Sequence, residues 1–235
     1  MKHVPPVRPP ALPAGQSATP VLPPLPSHGS GTRIWLCRHA QVEAAQRTLA
    51  YGNLDVALSP EGEEQTRALW RSFAEEPIRH VRASDLYRAR TLGEGIAEAT
   101  GAELRMDSRL REIDRGDWTG IERSIFQERW LADAGAYHAN TYAWKGHGGE
   151  SDLDLFDRVY PAFEEARQTA LGGTTFLAAH FNVVRVLLSR LCGVAPDESF
   201  HLPIQTAHAT LIRDDADGWT VLARNVEDPR EAPVS

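Results

Sequence analysis

From residue 32 onward, short apolar runs alternate with longer segments of helical pattern, and no other feature of the sequence constrains the fold as much. Short apolar runs bounded by polar segments are typical of buried strands. The four predicted strands are 33–37, 81–84, 102–107 and 174–179. The predicted helices are 59–76, 85–101, 119–135, 151–173 and 182–193. Strands that alternate with helices pair mostly in parallel and carry helices on both faces, so the pattern predicts an α/β protein built as a three-layer α/β/α sandwich.

The chain closes with two more apolar runs, 206–213 and 218–224, which flank the polar stretch 214–217. Two strands joined by so short a polar connection form a hairpin and therefore run antiparallel. We expect the hairpin to extend the sheet, so that a mostly parallel sheet contains one antiparallel strand.

Two of the predicted helices carry capping signals at their starts. Ser59 suits the N-cap of the first helix, and Pro60 suits its first helical position. Thr119 and Glu122 have the spacing of a capping box, in which each side chain bonds the other residue's backbone amide. This spacing predicts that a helix begins at Thr119.

The first 31 residues differ from the rest in composition. They contain nine of the 16 prolines and show no apolar periodicity. Proline lacks the amide hydrogen that helices and sheets use, so we predict a disordered or polyproline-like tail over 1–31. A single domain is expected over 32–228.

Charge and cysteine content exclude several functions. The formal net charge of -7 disfavours nucleic-acid binding, which needs a basic face. Cys37 and Cys192 lie in apolar surroundings without a C-x-x-C spacing, which favours buried free thiols and a cytoplasmic location. No apolar run reaches the roughly 20 residues of a membrane helix, so no membrane partner is expected.

Polar side chains that suit phosphate follow three of the predicted strands. Arg38 and His39 come directly after 33–37, His180 comes directly after 174–179, and Arg88 lies in the first turn of the helix that follows 81–84. Ligands of open α/β sheets bind beyond the carboxyl ends of the strands. Arginine binds two phosphate oxygens at once, so the sequence predicts a phosphate site at this edge.

Six short motifs surround these strand ends in a fixed order. They are Arg38–His39–Ala40, "YGNLDVALSPEGEEQ" (51–65), "SDLYRA" (84–89), "LREIDRGDWTG" (110–120), Gly149–Glu150–Ser151 and "FLAAHFNVVRVLL" (176–188). Together they resemble the motifs of the histidine phosphatase superfamily, the phosphoglycerate mutase-like branch 1. The resemblance spans residues 33 to about 212 and implies that family's fold.

The resemblance implies a phosphomonoester hydrolase that works on a small phosphorylated metabolite through a phosphohistidine. His39 is then the nucleophile, and Glu112 gives a proton to the leaving group and later takes one from water. Arg38, Arg88 and His180 hold the phosphoryl oxygens. Neither a metal nor a cofactor is implied, and the partner is a small phosphate ester.

Two departures from the family's motifs keep other functions open. Ala40 and Phe181 stand where the family usually has glycine, which motivates a phosphate-binding module with impaired catalysis. Mutase activity is the second alternative, although only 68 residues separate Glu112 from His180 and family mutases tend to have a longer interval. The acids Asp114 and Asp117 compete with Glu112 for its role.

The physiological substrate and the oligomeric state cannot be inferred from the sequence. The segment 121–150 is rich in aromatic residues and is expected to cover the site. These rings suit either a ring-bearing leaving group or core packing.

Overall fold

The computed structural model describes residues 8–9, 11 and 21–232. Most of the predicted tail over 1–31 lies outside these residues, and its disorder stays a prediction. The described stretch from 21 to 31 contacts the domain. Buried Asp214 accepts hydrogen bonds from the His28 and Gly29 amides (2.7 and 3.2 Å) and from the Ser30 hydroxyl (2.5 Å), and the Leu25 amide donates to the Arg190 carbonyl.

A six-stranded sheet forms the centre of the domain in the described part of the chain. Its strands are β1 Arg33–Arg38, β2 Ile78–Ala83, β3 Glu103–Met106, β4 Thr174–Ala179, β5 Ala209–Asp215 and β6 Gly218–Val226. The spatial order is β3-β2-β4-β1-β5-β6. Strands β1 to β4 pair in parallel, and β5 pairs antiparallel with both β1 and β6. The prediction of a mostly parallel sheet with one antiparallel strand is confirmed.

Helices cover both faces of this sheet. They are α1 Ala44–Arg47, α2 Pro60–Ser72, α3 Tyr87–Thr100, α4 Arg123–Ala132, α5 Ala134–Ala139, α6 Asp152–Thr169, α7 Phe181–Cys192 and α8 Pro196–Ser199. Alternate residues of a strand point to opposite faces. In β1, Ile34 and Leu36 join the core that α6 and α7 cover, whereas Trp35 and Cys37 join the core that α2 and α3 cover. The three-layer prediction is confirmed.

The two predicted capping signals have different outcomes. The Ser59 hydroxyl accepts the Gly62 amide at 3.0 Å, and Pro60 opens α2, as predicted. The capping box at Thr119 is wrong: the helix begins at Arg123, and neither proposed capping bond is present. Gly120 has a φ of 80°, which places it in the left-handed region and prevents the backbone from entering a helix at that point.

The structure also bears on the predictions about the two cysteines and about membrane helices. Cys37 is buried, Cys192 is partly buried, and both are free thiols. Burial raises the pKa of the Cys37 thiol far above its ordinary range. Within the described residues, no helix has the length and apolar character needed to cross a membrane.

Candidate active site

Three adjacent parallel strands bring the predicted phosphate-binding residues together at their carboxyl ends. Strand β1 delivers Arg38 and His39, β4 delivers His180, and the first turn of α3 after β2 delivers Arg88. The His39 and His180 rings lie 5.2 Å apart between centroids, and the Arg88 Nε donates to His39 Nε2 at 3.3 Å. All four side chains are buried.

The backbone fixes the protonation of His39. Its Nδ1 lies 2.7 Å from the Ala40 carbonyl oxygen, which only accepts, so Nδ1 carries the ring proton. Burial, with the positive charges of Arg88 and Arg38, holds the pKa of His39 well below its ordinary value of 6.5. The ring is therefore neutral at pH 7, with a lone pair on Nε2.

Ser84 sets the orientation of His180 in the same way. His180 Nε2 lies 2.9 Å from the Ser84 hydroxyl, which also accepts the Leu86 amide at 3.3 Å. When the hydroxyl donates to His180 Nε2, the ring proton sits on Nδ1. Nδ1 is buried and has no hydrogen-bond partner in the described part of the protein. Burial, followed by Arg88, lowers the pKa of His180 well below 6.5.

Within residues 8–9, 11 and 21–232, the hydrogen-bond partners of Arg88 are all uncharged acceptors. Its Nη1 donates to the Leu54 carbonyl at 2.6 Å, and its Nη2 donates to the Gly52 carbonyl at 2.9 Å. The Tyr51 ring lies 5.1 Å from the guanidinium carbon. The loop from 51 to 54 therefore holds the guanidinium against His39 without neutralising its charge.

Arg38 has even fewer partners. Its Nη1 donates to the Ile204 carbonyl at 2.9 Å, while its buried Nε has no partner among the described residues. The guanidinium carbon lies 5.3 Å from the centre of the Phe181 ring. Phe181, one of the two departures from the family motif, thus forms part of the wall beside Arg38.

Ala40, the other departure, meets no backbone strain. Among the described residues, only Ala207 and Asn225 are non-glycine residues with positive φ, so Ala40 has a negative φ that suits alanine. Its carbonyl still orients His39. Alanine in place of the family's usual glycine at position 40 therefore leaves the position of His39 unchanged.

Two backbone amides hold the carboxylate of Glu112. Oε1 accepts the Ile113 amide at 2.8 Å, and Oε2 accepts the Asn182 amide at the start of α7 at 3.3 Å. Glu112 is buried and lines a pocket together with Arg38. The competing acid Asp114 bonds the Gly116 amide, and Asp117 is exposed. Of the three acids, Glu112 is the one that lines this pocket.

Glu150 lies behind the loop that carries Glu112. Its carboxylate receives two hydrogen bonds from Arg158 (2.6 and 2.7 Å) and one from the Asp114 amide. Arg158 also donates to the Arg109 and Arg111 carbonyls. Glu150 therefore supports the loop.

Two adjoining clefts lead to the cluster. The inner cleft has Arg38, Glu112 and Arg115 on its walls, and the phenylalanines Phe126, Phe181 and Phe200 close it. The outer cleft, about 210 Å³ in volume, is polar and shares residues with the inner one. The shared residues are Arg38, Tyr51 and Arg123.

The segment over 121–150 packs as core more than it lines the site. Trp130, Tyr137 and Trp144 are buried against one another, with Trp130 and Trp144 stacked at 5.9 Å. Only Arg123 and Phe126 of this segment line the clefts. Core packing therefore accounts for most of its aromatic content.

Four residues that shape this site were not predicted from the sequence: Ser84, Asn182, Arg115 and Arg123. The serine is part of the motif "SDLYRA", and Arg115 lies in the same motif as Glu112, so position in a motif was the available signal. No group of three or more metal-ligating side chains is found in residues 8–9, 11 and 21–232.

Comparisons with known proteins agree with this geometry. A family model for the histidine phosphatase superfamily (branch 1) matches residues 34–227. The chain is 32% identical to a glucosyl-3-phosphoglycerate phosphatase of Mycolicibacterium vanbaalenii, over 70% of this chain and 76% of that protein. It is 28% identical to a probable phosphoglycerate mutase of Salmonella choleraesuis, over 69% and 75% of the two chains.

A comparison with a solved structure agrees with the sequence comparisons. The native structure of a mycobacterial glucosyl-3-phosphoglycerate phosphatase superposes with a TM-score of 0.69 at 27% identity. The superposition covers 83% of this chain and 98% of that one. The two proteins therefore share the same overall fold.

Proposed function

The chain belongs to the histidine phosphatase superfamily (branch 1), and we propose that it hydrolyses small phosphate monoesters through a phosphohistidine on His39. The fold and phosphatase-named relatives support the reaction class. The roles of individual residues rest on the geometry of the cluster.

One observation carries the proposal: buried positive groups converge on His39 without a carboxylate to neutralise the arginines. In the part of the chain that the structure describes, Arg38 and Arg88 bond only to carbonyls and an imidazole. Arg38 Nε and His180 Nδ1 are buried and unpartnered in the described chain. Unmade hydrogen bonds and unpaired charges are costly inside a protein, so these atoms favour a ligand with several anionic oxygens. A phosphoryl group meets that requirement.

In the first step, the His39 Nε2 lone pair attacks phosphorus and the ester P–O bond breaks. The Ala40 carbonyl holds the Nδ1 proton as the ring becomes positively charged. Glu112, protonated in the substrate complex, gives its proton to the leaving oxygen. The guanidinium groups of Arg38 and Arg88, with His180 Nδ1–H, bind the phosphoryl oxygens as charge shifts among them.

In the second step, water attacks phosphorus from the side that the leaving group has vacated. Glu112, now a carboxylate held by the Ile113 and Asn182 amides, accepts a proton from that water. The N–P bond breaks, His39 becomes neutral again and inorganic phosphate leaves. We propose that the arginine and histidine donors supply the charge stabilisation without a metal, and that the enzyme acts in the cytoplasm.

Hydrolysis and phosphoryl transfer between two positions of a substrate share the first step. Mutase activity is the alternative, because one relative is named as a probable phosphoglycerate mutase. Hydrolysis is favoured because only 68 residues separate Glu112 from His180 and because the inner cleft continues into a wider polar one through which water enters. A binding module is disfavoured because the predicted nucleophile, its orienting carbonyl and the predicted acid are all present.

The test is turnover of p-nitrophenyl phosphate in the presence of EDTA. We expect wild-type turnover and its loss in His39→Ala. His80→Ala is the matched control, since His80 lies on β2 of the same sheet and lines neither cleft. Turnover of His39→Ala at the wild-type rate would exclude His39 as nucleophile, and absence of turnover in wild-type protein across pH 5 to 8 would favour the binding module.

A further inference from the structure

Phe181 contacts one of the two arginines that face the proposed phosphoryl position. The guanidinium carbon of Arg38 lies 5.3 Å from the centre of the Phe181 ring. An aromatic ring within about 6 Å attracts a guanidinium through its electron-rich face. Arg38 also donates one hydrogen bond, to the Ile204 carbonyl, and its buried Nε has no partner among the described residues. One hydrogen bond and one aromatic ring therefore restrain this guanidinium in the described part of the protein.

A ring restrains an arginine in a different way from a carboxylate. A carboxylate neutralises the guanidinium and occupies its N–H donors, as Asp107 does for Arg82 at 2.7 Å. A phenyl ring carries no net charge and has no lone pair that accepts a hydrogen bond. Phe181 therefore restrains the guanidinium of Arg38 and leaves its charge and its remaining N–H groups available for phosphoryl oxygens.

Buried neighbours fix the position of the Phe181 ring. Phe181 is the first residue of α7, and its ring lies 6.4 Å from the ring of Phe200. The Phe200 ring lies 3.9 Å from the guanidinium carbon of Arg185. Arg185 in turn forms two hydrogen bonds with Asp152, at 2.8 and 2.5 Å. A buried ion pair of the fold thus supports the wall to which the Phe181 ring belongs.

The contact between Phe181 and Arg38 lies in the inner cleft, where water is restricted. Both residues are buried and line this cleft, which has a volume of about 90 Å³. Cation–π contacts are stronger where water is excluded than at an exposed surface. The ring therefore has a measurable effect on the position of the guanidinium.

We propose that Phe181 is a positioning residue whose ring holds the Arg38 guanidinium in place for the transferring phosphoryl group. The inference rests on the proposed phosphatase function and concerns the same site. A guanidinium that is held in place before the substrate binds loses less conformational entropy on binding. The family's usual glycine has no side chain with which to make this contact. The departure at position 181 therefore supports phosphoryl transfer in this chain.

The test measures kcat/KM for p-nitrophenyl phosphate in Phe181→Leu and Phe181→Tyr. We expect a loss of about 10-fold in Phe181→Leu, or about 1.4 kcal/mol, which lies between the values of exposed and fully desolvated cation–π contacts. Phe181→Tyr keeps the ring and should stay within about threefold of wild type. Calorimetric titration with inorganic phosphate should show binding about 10-fold weaker in Phe181→Leu than in wild-type protein.

A double-mutant cycle with Arg38→Met distinguishes action through Arg38 from a general effect on the fold. If the ring acts through Arg38, its removal has no further consequence once the guanidinium is gone. The kcat/KM of the double variant should therefore lie within about twofold of that of Arg38→Met alone. A further loss of about 10-fold in the double variant would overturn the positioning role.

Phe156→Leu is the matched control. Phe156 has the same exposure as Phe181, 5%, and its ring lies 4.5 Å from the guanidinium carbon of Arg190, but it lines neither cleft. Its kcat/KM should stay within about twofold of wild type. Denaturant unfolding confirms that each variant is folded.

Three further results would overturn the positioning role while leaving the phosphatase function in place. They are wild-type kcat/KM and phosphate affinity in a folded Phe181→Leu, an equal loss in Phe156→Leu, and an equal loss in Phe181→Tyr. Absence of turnover in wild-type protein would overturn the proposed function itself, and the phosphate titration would still test the contact between Phe181 and Arg38.

Discussion

Two groups of buried arginines in this protein differ in their partners and in their place in the fold. Away from the site, Arg82 pairs with Asp107 and Glu165, and Arg167 pairs with Glu164 and Asp214. Arg185, on α7, pairs with Asp152. At the carboxyl ends of β1 and β2, Arg38 and Arg88 are as deeply buried but have no carboxylate partner in the described chain.

We propose that this difference in partners separates arginines that stabilise the fold from arginines that bind the substrate. A buried charge with its counter-ion in place is part of the scaffold, because removal of either member leaves the other uncompensated. A buried charge without a counter-ion costs free energy in the empty protein, and a ligand that supplies the counter-ion recovers it. Partners, rather than burial, therefore distinguish the proposed phosphate site from these ion pairs.

The largest expected effect on activity comes from a change in Arg38 or Arg88, the buried arginines without a carboxylate partner in the described chain. Arg38→Met should lower kcat/KM about 1000-fold, since it removes a donor to the transferring phosphoryl group. The free energy of unfolding should change by less than about 1 kcal/mol, because the change removes one hydrogen bond, to the Ile204 carbonyl, and the contact with the Phe181 ring. Steady-state kinetics and denaturant unfolding measure the two quantities. Strong destabilisation with retained activity would place Arg38 in the scaffold.

Substitution of an arginine that has a carboxylate partner should lower stability and leave activity nearly unchanged. Arg82→Met should lower the free energy of unfolding by about 3 kcal/mol, because Asp107 and Glu165 lose a buried partner at 2.7 and 2.9 Å. The kcat/KM of the folded protein should stay within about threefold of wild type, since the Arg82 side chain pairs with Asp107 and Glu165 and lines neither cleft. A large loss of activity without a loss of stability would show that an arginine with carboxylate partners acts in catalysis, which would contradict the distinction between the two groups of arginines.

A smaller effect is expected from pH. Burial beside Arg88 and Arg38 holds the pKa values of His39 and His180 well below 6.5, so the unfolded chain binds these protons first as pH falls. The stability that each neutral ring contributes is lost as pH falls below 6.5, with a slope that approaches about 1.4 kcal/mol per pH unit. Between pH 6.5 and 5.5, the free energy of unfolding should fall by about 1 kcal/mol less in His180→Asn than in the wild type. An equal fall in the two proteins would mean that burial and the neighbouring arginines do not hold this ring neutral.

Features of the fold and the site that depend on residues close together in the chain could be predicted from the sequence. The strand ends that carry Arg38, His39 and His180 follow from apolar runs and local order, and the capping of α2 by Ser59 is a local interaction. These features involve residues close together in the chain, where residue type and spacing decide the outcome.

The contacts that complete the site join distant residues, and the sequence does not show them. Ser84 orients His180 across 96 positions, and the Asn182 amide reaches Glu112 across 70. The wrong helix start at Thr119 has a related cause. Ala50 and Thr48 bond the Gly120 and Arg123 amides, so tertiary contacts shape the backbone that local residue type predicts as helix.

In the proposed mechanism, Arg38 and Arg88 hold a phosphoryl group on His39, and trapping that group is the most direct test. Glu112→Gln removes the base for the water step, whereas p-nitrophenol departs readily without a proton. Glu112→Gln mixed with p-nitrophenyl phosphate should therefore accumulate a phosphoenzyme, which peptide mass spectrometry under non-acidic quenching assigns to His39. Phosphate on another residue, or steady turnover by this variant with no phosphoenzyme formed, would contradict the account.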